Sequence, residues 1–272
     1  MTKIVVLGGG KIGEALISGL VNAGVDPQSI TVTGRRAERG EELRERYGVR
    51  DTTDNRLAAE DADVVFLCVK PKMIVDVLGE ISGALEENDV TTVLVSMAAG
   101  IPLAAMEDAV VAGTPVVRVM PNTPMLVGQG ASVLAAGRHV RPEHLDQVRE
   151  MLASVGTVSV VPESQIDAVT AVSGSGPAYF FLVAEAMIDA GVSLGLSRAV
   201  ATELVVQTMT GSAAMLAQSG DKASDLRAAV TSPGGTTAAA VRELERGGLR
   251  TAFYEALEAA RARSVQLGGS AE

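Results

Sequence analysis

The first segment that could do chemistry is a glycine-rich turn near the start of the chain, Gly8-Gly9-Gly10-Lys11-Ile12-Gly13. It follows an apolar run typical of a buried strand and precedes a run with helical periodicity, which is the context that the dinucleotide-binding fingerprint requires. In that fingerprint Gly8 makes the tight turn, Gly10 lets a pyrophosphate approach the backbone, and Gly13 packs the helix on the strand. The segment therefore predicts a dinucleotide site at the first strand.

A second candidate segment lies near the other end of the chain. Residues 231–237 read Thr-Ser-Pro-Gly-Gly-Thr-Thr, and a helical run over residues 238–246 follows at once. The first N–H groups of a helix have no acceptor within the helix, so a start with glycine and hydroxyl residues can bind an anion such as a substrate carboxylate. An ordinary helix start after Pro and Gly is the alternative. The glycine-rich turn at residues 8–13 favours the anion site.

The end of the second predicted strand, residues 29–33, bears on the choice of dinucleotide. An NAD-binding chain carries Asp or Glu about 20 residues after the glycines, where it binds the ribose 2′-hydroxyl. This chain has Gly34-Arg35-Arg36 there, and two arginines suit a 2′-phosphate. We therefore predict NADPH as the preferred cofactor and leave NADH open. The alternative is a pair of solvated arginines at the start of a charged helix that runs to Tyr47.

The composition is typical of a soluble cytoplasmic enzyme. A net charge of -10 disfavours nucleic acid and anionic membranes as main partners. The single cysteine, Cys68, lies in a predicted apolar strand, where it excludes an internal disulfide and favours a reducing compartment. The chain opens on a strand instead of a signal peptide, and the apolar run at residues 178–188 is interrupted by Glu185 and too short to span a bilayer. We expect a cytoplasmic protein.

The predicted elements change in type near residue 163, so we expect two domains, 1–163 and 164–272. In the first, short β-rich runs alternate with helical ones, which predicts an α/β domain with a Rossmann-type doubly wound sheet. After the first two strands these runs are residues 63–69, 92–96, 115–119, 131–135 and 157–161. The second domain is predicted to be all-α, with helices at about residues 165–172, 177–194, 198–218, 223–230, 237–246 and 249–267. Because this domain is apolar and the chain has no Trp, we expect its core to be completed by a second subunit.

The residue types that are missing narrow the chemistry. The only histidines, His139 and His144, lie in a polar stretch around a predicted surface helix, which disfavours a His acid–base catalyst. The one lysine of the helical domain, Lys222, is more naturally solvated, and no spacing of His, Cys, Asp and Glu resembles a metal site. Hydride addition to an imine fits these limits, because the basic nitrogen can enter protonated and needs only a hydroxyl to hydrogen-bond it.

Over almost its whole length the chain resembles pyrroline-5-carboxylate reductase. Besides the glycine-rich turn, the matching stretches are Val69-Lys70-Pro71 and residues 118–124, 173–179 and 230–237, of which the last three are highly specific. The resemblance implies an NAD(P)H-dependent oxidoreductase that reduces the C=N bond of Δ1-pyrroline-5-carboxylate to L-proline, the last step of proline biosynthesis. It also implies a homodimer with the substrate at an interface built from the helical domains, and often a ring such as a decamer of five dimers.

The resemblance also assigns roles to individual residues. Thr237 matches the threonine whose hydroxyl faces the ring nitrogen, and it is the predicted catalytic residue. The predicted substrate-binding residues are Glu163, Ser232, Gly234, Gly235, Thr236 and Thr237. The predicted cofactor-binding residues are Gly8, Gly10, Lys11, Ile12, Gly13, Gly34, Arg35, Arg36, Asn55, Val69, Lys70, Pro71, Met97, Ala98 and Ala99. No metal ligand is predicted.

Residue type alone leaves alternatives for some of these assignments. Lys70 could be a surface lysine at a strand end, and Glu163 could be a solvated acid at the domain junction. Asn122 is interpreted as part of a structural turn, and residues 173–177 as the opening of a helix capped near Ser175 or Gly176.

Two departures from the family pattern and two other functions complete the expectations. Some members have Asn where this chain has Ala229, so any side-chain contact from that position is absent. Some members have a stretch such as Ser-Asn-Arg where this chain has Gly34-Arg35-Arg36, a difference that bears only on how the adenosine phosphate is held.

A β-hydroxy-acid dehydrogenase would share the domain plan but would need a catalytic lysine in the helical domain. A non-catalytic NADPH-binding regulator is the other alternative.

Overall fold

The chain divides into two compact units. The computed structural model describes residues 2–88 and 91–269. One unit comprises the chain up to Ser175 together with the segment from Ala260 onward, and the other is Gly176–Ala259. The predicted domain ranges end at residues 1 and 272, which lie outside the described residues. The predicted domain boundary after residue 163 stays a prediction, and the contacts within the chain divide after Ser175.

Eight strands form one sheet in the described part of the first unit. They are β1 Ile4–Leu7, β2 Ile30–Thr33, β3 Arg50–Thr52, β4 Val64–Leu67, β5 Val93–Ser96, β6 Val116–Met120, β7 Gly130–Ala136 and β8 Gly156–Val160. Their order is β3-β2-β1-β4-β5-β6-β7-β8. Strands β1 to β6 are parallel, as a doubly wound sheet requires, whereas β7 is antiparallel to β6 and β8 runs parallel to β7.

The predicted Rossmann-type architecture is confirmed, with two differences. The edge strand β3 was not predicted, because its three residues, Arg-Asp-Thr, carry no apolar run and pair only with β2. The reversal of β7 and β8 was not predicted either, because strand direction depends on how the connections cross the sheet.

Helices cover both faces of the sheet, which explains the continuous apolar runs of its central strands. In the first unit they are α1 Lys11–Asn22, α2 Ala37–Tyr47, α3 Asn55–Ala59, α4 Ile74–Glu87, α5 Leu103–Glu107, α6 Pro142–Ala153 and α7 Ile166–Val169. Successive strand residues point to opposite faces. Accordingly Ile4 and Val6 pack in one core with Leu16 of α1, while Val5 and Leu7 pack in the other with α4.

The second unit is helical, as predicted. Its helices are α8 Gly176–Ser193, α9 Arg198–Gln218, α10 Ala223–Ala229, α11 Thr236–Arg246 and the first part of α12 Leu249–Gly269. The predicted bounds agree with these to within about two residues, the usual uncertainty at helix ends. Helix α9 is the clearest case: Ser197 caps it by accepting the N–H of Val200 at 3.3 Å.

The prediction that a helix opens near Ser175 or Gly176 is confirmed by the start of α8 at Gly176, but helical structure also precedes this start. Helix α7 continues into a π-helical turn, Thr170–Gly174, where the N–H of Ser175 donates to the carbonyl of Thr170 at 2.8 Å. Pro177 then falls in the first turn of α8, where a residue without an N–H is tolerated. Helical structure is therefore continuous from Glu163 to Ser193.

This continuous segment bears on the expectation that the apolar run at residues 178–188 is too short to span a bilayer. By length and composition alone, Glu163–Ser193 is a candidate membrane span, with 31 residues and a mean hydropathy of 1.3 in its best window. The run itself is short, but the helix that contains it is long because it begins at Glu163. Helices that pack against other protein meet the same test, and the segment carries Asp167, Glu185 and Asp189.

Candidate active site

The glycine-rich turn joins the carboxyl end of β1 to α1, in the middle of the sheet. Gly8 has a φ of +113°, and a Cβ at this position would lie 2.7 Å from the carbonyl oxygen of Cys68. A Cβ at Gly13 would collide with the carbonyl oxygen of Gly8, whereas a Cβ at Gly10 would meet nothing within 4 Å. Gly8 and Gly13 are thus required by the protein's own packing. Gly10 leaves open space beside the backbone, as the close approach of a pyrophosphate requires.

The hydrogen bonds of the turn separate its structural N–H groups from those that can bind a ligand. The N–H groups of Gly8 and Gly9 both donate to the carbonyl of Thr33, each at 3.1 Å, and tie the turn to β2. Helix α1 starts after Gly10, without a side-chain cap. The first N–H groups of this helix therefore have no acceptor of their own and can bind an anion. Gly10, Lys11, Ile12 and Gly13 supply them.

The end of β2 presents the two arginines predicted to bind a 2′-phosphate. Arg35 and Arg36 are exposed, and neither forms an ion pair with any residue in the described part of the chain. Asn55 lies beside this strand end, because the hydroxyl of Thr33 donates to its Oδ1 at 2.6 Å. Its Nδ2 donates to Oε2 of Glu80 at 3.0 Å, which fixes the orientation of the amide. Sequence reasoning missed Thr33 and Glu80.

The remaining predicted cofactor residues follow β4 and β5, which lie next to β1 in the sheet. Lys70 is exposed and precedes a helical turn, Pro71–Met73. After β5, Met97 and Ala98 are buried and Ala99 is exposed. All the predicted cofactor segments therefore lie at the carboxyl edge of the sheet, where ligands bind in folds of this type.

The predicted anion site is the start of α11 in the second unit. Gly235 precedes this helix as its N-cap, with no side-chain cap, and Gly234 has a φ of +72°, which favours glycine. The N–H of Gly235 donates to the carbonyl of Ser232 at 3.0 Å. Thr237 is partly buried, whereas Ser232 and Thr236 are exposed. The first turn of α11 thus has unpaired N–H groups next to the hydroxyl of Thr237.

Glu163 belongs to the first unit and is not simply a solvated junction residue. Its Oε1 accepts the N–H of Leu103 at 2.7 Å and Nη1 of Arg118 at 2.9 Å. Arg118 is 7% exposed, so this ion pair ties the end of β8 to the interior of the sheet. Oε2 of Glu163 has no partner within the described residues, and its predicted contact with the substrate stays a prediction.

Other singled-out residues have structural roles. Asn122 bridges two segments, donating to the carbonyl of Ser173 at 3.1 Å and accepting the N–H of Ala131 at 2.8 Å. Burial raises the pKa of the Cys68 thiol to about 12, so it is not a nucleophile. His144, expected at the surface, is 7% exposed and accepts the N–H of Arg141 through Nδ1. Burial and, secondly, the charge of Arg141 lower the pKa of His144.

An ion-pair cluster beside the glycine-rich turn was also missed from the sequence. It consists of Glu14, Arg39, Arg46 and Tyr47. Glu14 pairs with Arg39, accepts from Nη1 of Arg46 at 2.8 Å, and accepts from the hydroxyl of Tyr47 at 3.2 Å. Burial by itself would raise the pKa of Glu14, but hydrogen bonds and charges, first those of Arg39, lower it below its usual value. Glu14 is therefore ionised at neutral pH.

A doubly wound sheet with a dinucleotide turn, followed by a helical unit, is the domain plan of an NAD(P)-dependent oxidoreductase. Comparison with known families agrees. Residues 3–100 match a family described as NADP oxidoreductase, coenzyme F420-dependent, and residues 163–267 match one described as pyrroline-5-carboxylate reductase dimerisation. In residues 2–88 and 91–269, no group of three His, Cys, Asp or Glu side chains is placed to hold a metal ion.

Relatives along the whole chain define the family. The pyrroline-5-carboxylate reductase of Corynebacterium melassecola is 60% identical over 98% of this chain and 99% of its own length. The structure of a pyrroline-5-carboxylate reductase from Coxiella burnetii is 39% identical, with a TM-score of 0.93 and 98% of each chain covered. That of Plasmodium falciparum, solved with NADP bound, is 31% identical, with a TM-score of 0.86 and 98% of each chain covered. The chain belongs to the pyrroline-5-carboxylate reductase family.

This membership confirms the predicted enzyme class, the reduction of pyrroline-5-carboxylate in proline biosynthesis and the NADP-binding domain. Family membership therefore replaces the two alternative functions, a β-hydroxy-acid dehydrogenase and a non-catalytic NADPH-binding regulator. The roles of individual site residues remain predictions.

Proposed function

We propose that the reduction of Δ1-pyrroline-5-carboxylate takes place at the first turn of α11, with the substrate carboxylate on the N–H groups around Gly234 to Thr236. The observation that carries this proposal is the start of α11: a glycine N-cap without a side-chain cap, in a helix of 11 residues. The N–H of Gly235 is already bonded to Ser232, but the first-turn N–H groups of α11 and the positive end of the helix dipole both favour an anion. A carboxylate held there fixes the orientation of the ring.

Thr237 would then act on the ring nitrogen. When bound, NADPH supplies the hydride that forms the new C–H bond at the imine carbon. The electron pair of the C=N bond passes to nitrogen, whose proton either enters with the substrate or comes from solvent. The hydroxyl of Thr237 hydrogen-bonds this nitrogen while its charge changes, and a group fixed at a helix start does so without reorganising. Ser232 completes the proposed substrate site within the second unit.

The cofactor site fits NADPH through the chain's own residues. The N–H groups at the start of α1 would hold the pyrophosphate, Arg35 and Arg36 the 2′-phosphate, and Asn55 the adenosine ribose. Gly34 keeps the end of β2 free of a side chain. The segments Val69-Lys70-Pro71 and Met97 to Ala99 would border the nicotinamide end. Their common position at the carboxyl edge of the sheet supports this assignment.

The carboxylate proposal is tested with a substrate that lacks this group. We expect 1-pyrroline to be reduced with a kcat/KM at least about a hundredfold below that for pyrroline-5-carboxylate, because two charge-assisted hydrogen bonds are lost. The loss of NADPH absorbance with each imine measures it, and the KM for NADPH serves as the control that should not change. Similar kcat/KM values for the two imines would contradict binding of the carboxylate at α11.

We also propose a homodimer formed through the helical domain, grouped further into a decamer of five dimers. The family match over residues 163–267 is to a dimerisation domain. Large apolar side chains of the second unit are more than half exposed in the single chain, among them Phe180, Phe181 and Leu182. The unit also has a groove of about 440 Å³, lined mainly by Val241, Leu244, Leu249, Phe253 and Leu257. A second subunit would remove these apolar surfaces from water.

Light scattering of the purified protein measures this assembly. We expect a mass of at least a dimer at micromolar concentration, because an exposed apolar surface of this kind is stabilised by association. A stable monomer with full activity would contradict the proposal.

The family is one of soluble enzymes, and we place the chain in the cytoplasm, which its single, unpaired cysteine supports.

A further inference from the structure

The glycine-rich turn is held from a second side, by helix α2. The carbonyl oxygen of Gly9 accepts a hydrogen bond from Nε of Arg39 at 2.9 Å. The N–H groups of Gly8 and Gly9 are bound on the other side by the carbonyl of Thr33. Each peptide group of the turn before Gly10 is therefore fixed by a contact to β2 or to α2.

The contact with Arg39 also determines the direction of the next N–H group. No peptide bond in the described residues is cis, and in a trans peptide the carbonyl and the N–H point in opposite directions. Because the carbonyl of Gly9 points at Arg39, the N–H of Gly10 in the same peptide group points away from α2. This N–H belongs to the N-cap of α1, at the position where a Cβ would find open space.

The guanidinium of Arg39 is held in place by two carboxylates. Its Nη2 pairs with Oε2 of Glu14, and its Nη1 donates to Oε2 of Glu42 at 2.8 Å. The side chains of Arg39 and Glu14 are 28% and 20% exposed, so this pair is better covered than most ion pairs of the chain. The two carboxylates neutralise the charge of Arg39, so Arg39 attracts a phosphate less strongly than Arg35 and Arg36, which form no ion pair within the described residues.

We propose that Arg39 is a positioning residue of the cofactor site, which orients the Gly9–Gly10 peptide so that the N–H of Gly10 faces the pyrophosphate of NADPH or NADH. Glu14 acts through Arg39 by fixing its guanidinium. The proposal deepens the cofactor site proposed above and rests on it. Since both dinucleotides contain the same pyrophosphate, Arg39 affects them equally, whereas a ligand of the 2′-phosphate affects NADPH alone.

The test compares Arg39→Met, which keeps the apolar stem and removes the guanidinium, with Arg46→Met. Arg46 is on the same helix and contacts the same carboxylate, but within the described residues no hydrogen bond joins it to the turn. Fluorescence titration with NADPH and with NADH, without substrate, gives the two Kd values.

We expect Arg39→Met to raise both Kd values by a similar factor of about ten, because one well-oriented hydrogen bond is lost, with kcat at saturating cofactor unchanged. Arg46→Met should leave both Kd values within a factor of about two, as a loss of an exposed ion pair does.

The outcomes separate the roles. A rise for NADPH alone would make Arg39 a 2′-phosphate ligand and overturn the proposal, and so would unchanged Kd values. If Arg39→Met does not fold, Arg39→Lys decides on the same two titrations: it retains the charge beside Glu14 but not the Nε donor, so both Kd values should still rise together. Titration with cofactor alone is independent of the substrate site, so a failure there does not bear on α11.

Discussion

Replacing Thr237 by valine is expected to lower kcat by about a hundredfold, because a fixed hydrogen-bond donor at a centre of changing charge contributes roughly 2.7 to 4 kcal/mol. Valine keeps the shape of the side chain and removes only the hydroxyl. The KM for NADPH should barely change, since Thr237 belongs to the second unit and the dinucleotide turn to the first. Steady-state kinetics with pyrroline-5-carboxylate measure both parameters.

Thr231→Val is the matched control for this variant. The hydroxyl of Thr231 donates to the carbonyl of Arg227 at 2.6 Å, so this change removes a nearby hydroxyl that caps α10 and is not assigned to the substrate. Its kcat should stay near that of the parent. A protonated imine reduces the demand on the hydroxyl and makes the loss in Thr237→Val milder. A kcat within a factor of about two of the parent would remove Thr237 from the mechanism.

Changing both Arg35 and Arg36 to alanine is expected to raise the KM for NADPH by on the order of a hundredfold or more, because each charge-assisted contact with a phosphate contributes roughly 1.5 to 3 kcal/mol. The KM for NADH should change by less than about threefold, since NADH has no 2′-phosphate. Both residues are exposed at the end of β2, so their removal should not affect folding. Parallel assays with the two cofactors measure the change in preference.

Arg44→Ala controls for the removal of positive charge from α2. Arg44 lies in α2, after the two arginines, and pairs with Asp51 of β3 at 2.8 Å, so it should not contribute to either KM. Equal effects of the double variant on NADPH and NADH would contradict a role in 2′-phosphate binding. Such a result would place the two arginines with Arg39, as residues that shape the turn for both cofactors.

Features with local causes were predictable from the sequence. The roles of Gly8, Gly10 and Gly13 follow from the order of strand, turn and helix within about ten residues, which the fingerprint specifies. The helices of the second unit were also predictable, because Gly, Ser or Pro residues separate them. The identity of the family came from short motifs of the same local kind, such as residues 230–237.

Features with distant causes were not predictable in this way. The pairing of Arg118 with Glu163 joins residues 45 positions apart, and Thr33 reaches Asn55 across 22. The reversal of β7 and the π turn before α8 likewise have no local signal in residue type.

The sequence by itself therefore determined which backbone groups could bind a dinucleotide and a carboxylate, because glycine positions and helix starts act over one turn of chain. Only the tertiary structure decided how the glycine-rich turn is held, by Thr33 on one side and Arg39 on the other. A hydrogen bond between a side chain and a distant carbonyl depends on where folding places two helices and a strand, and residue spacing carries no information about that placement.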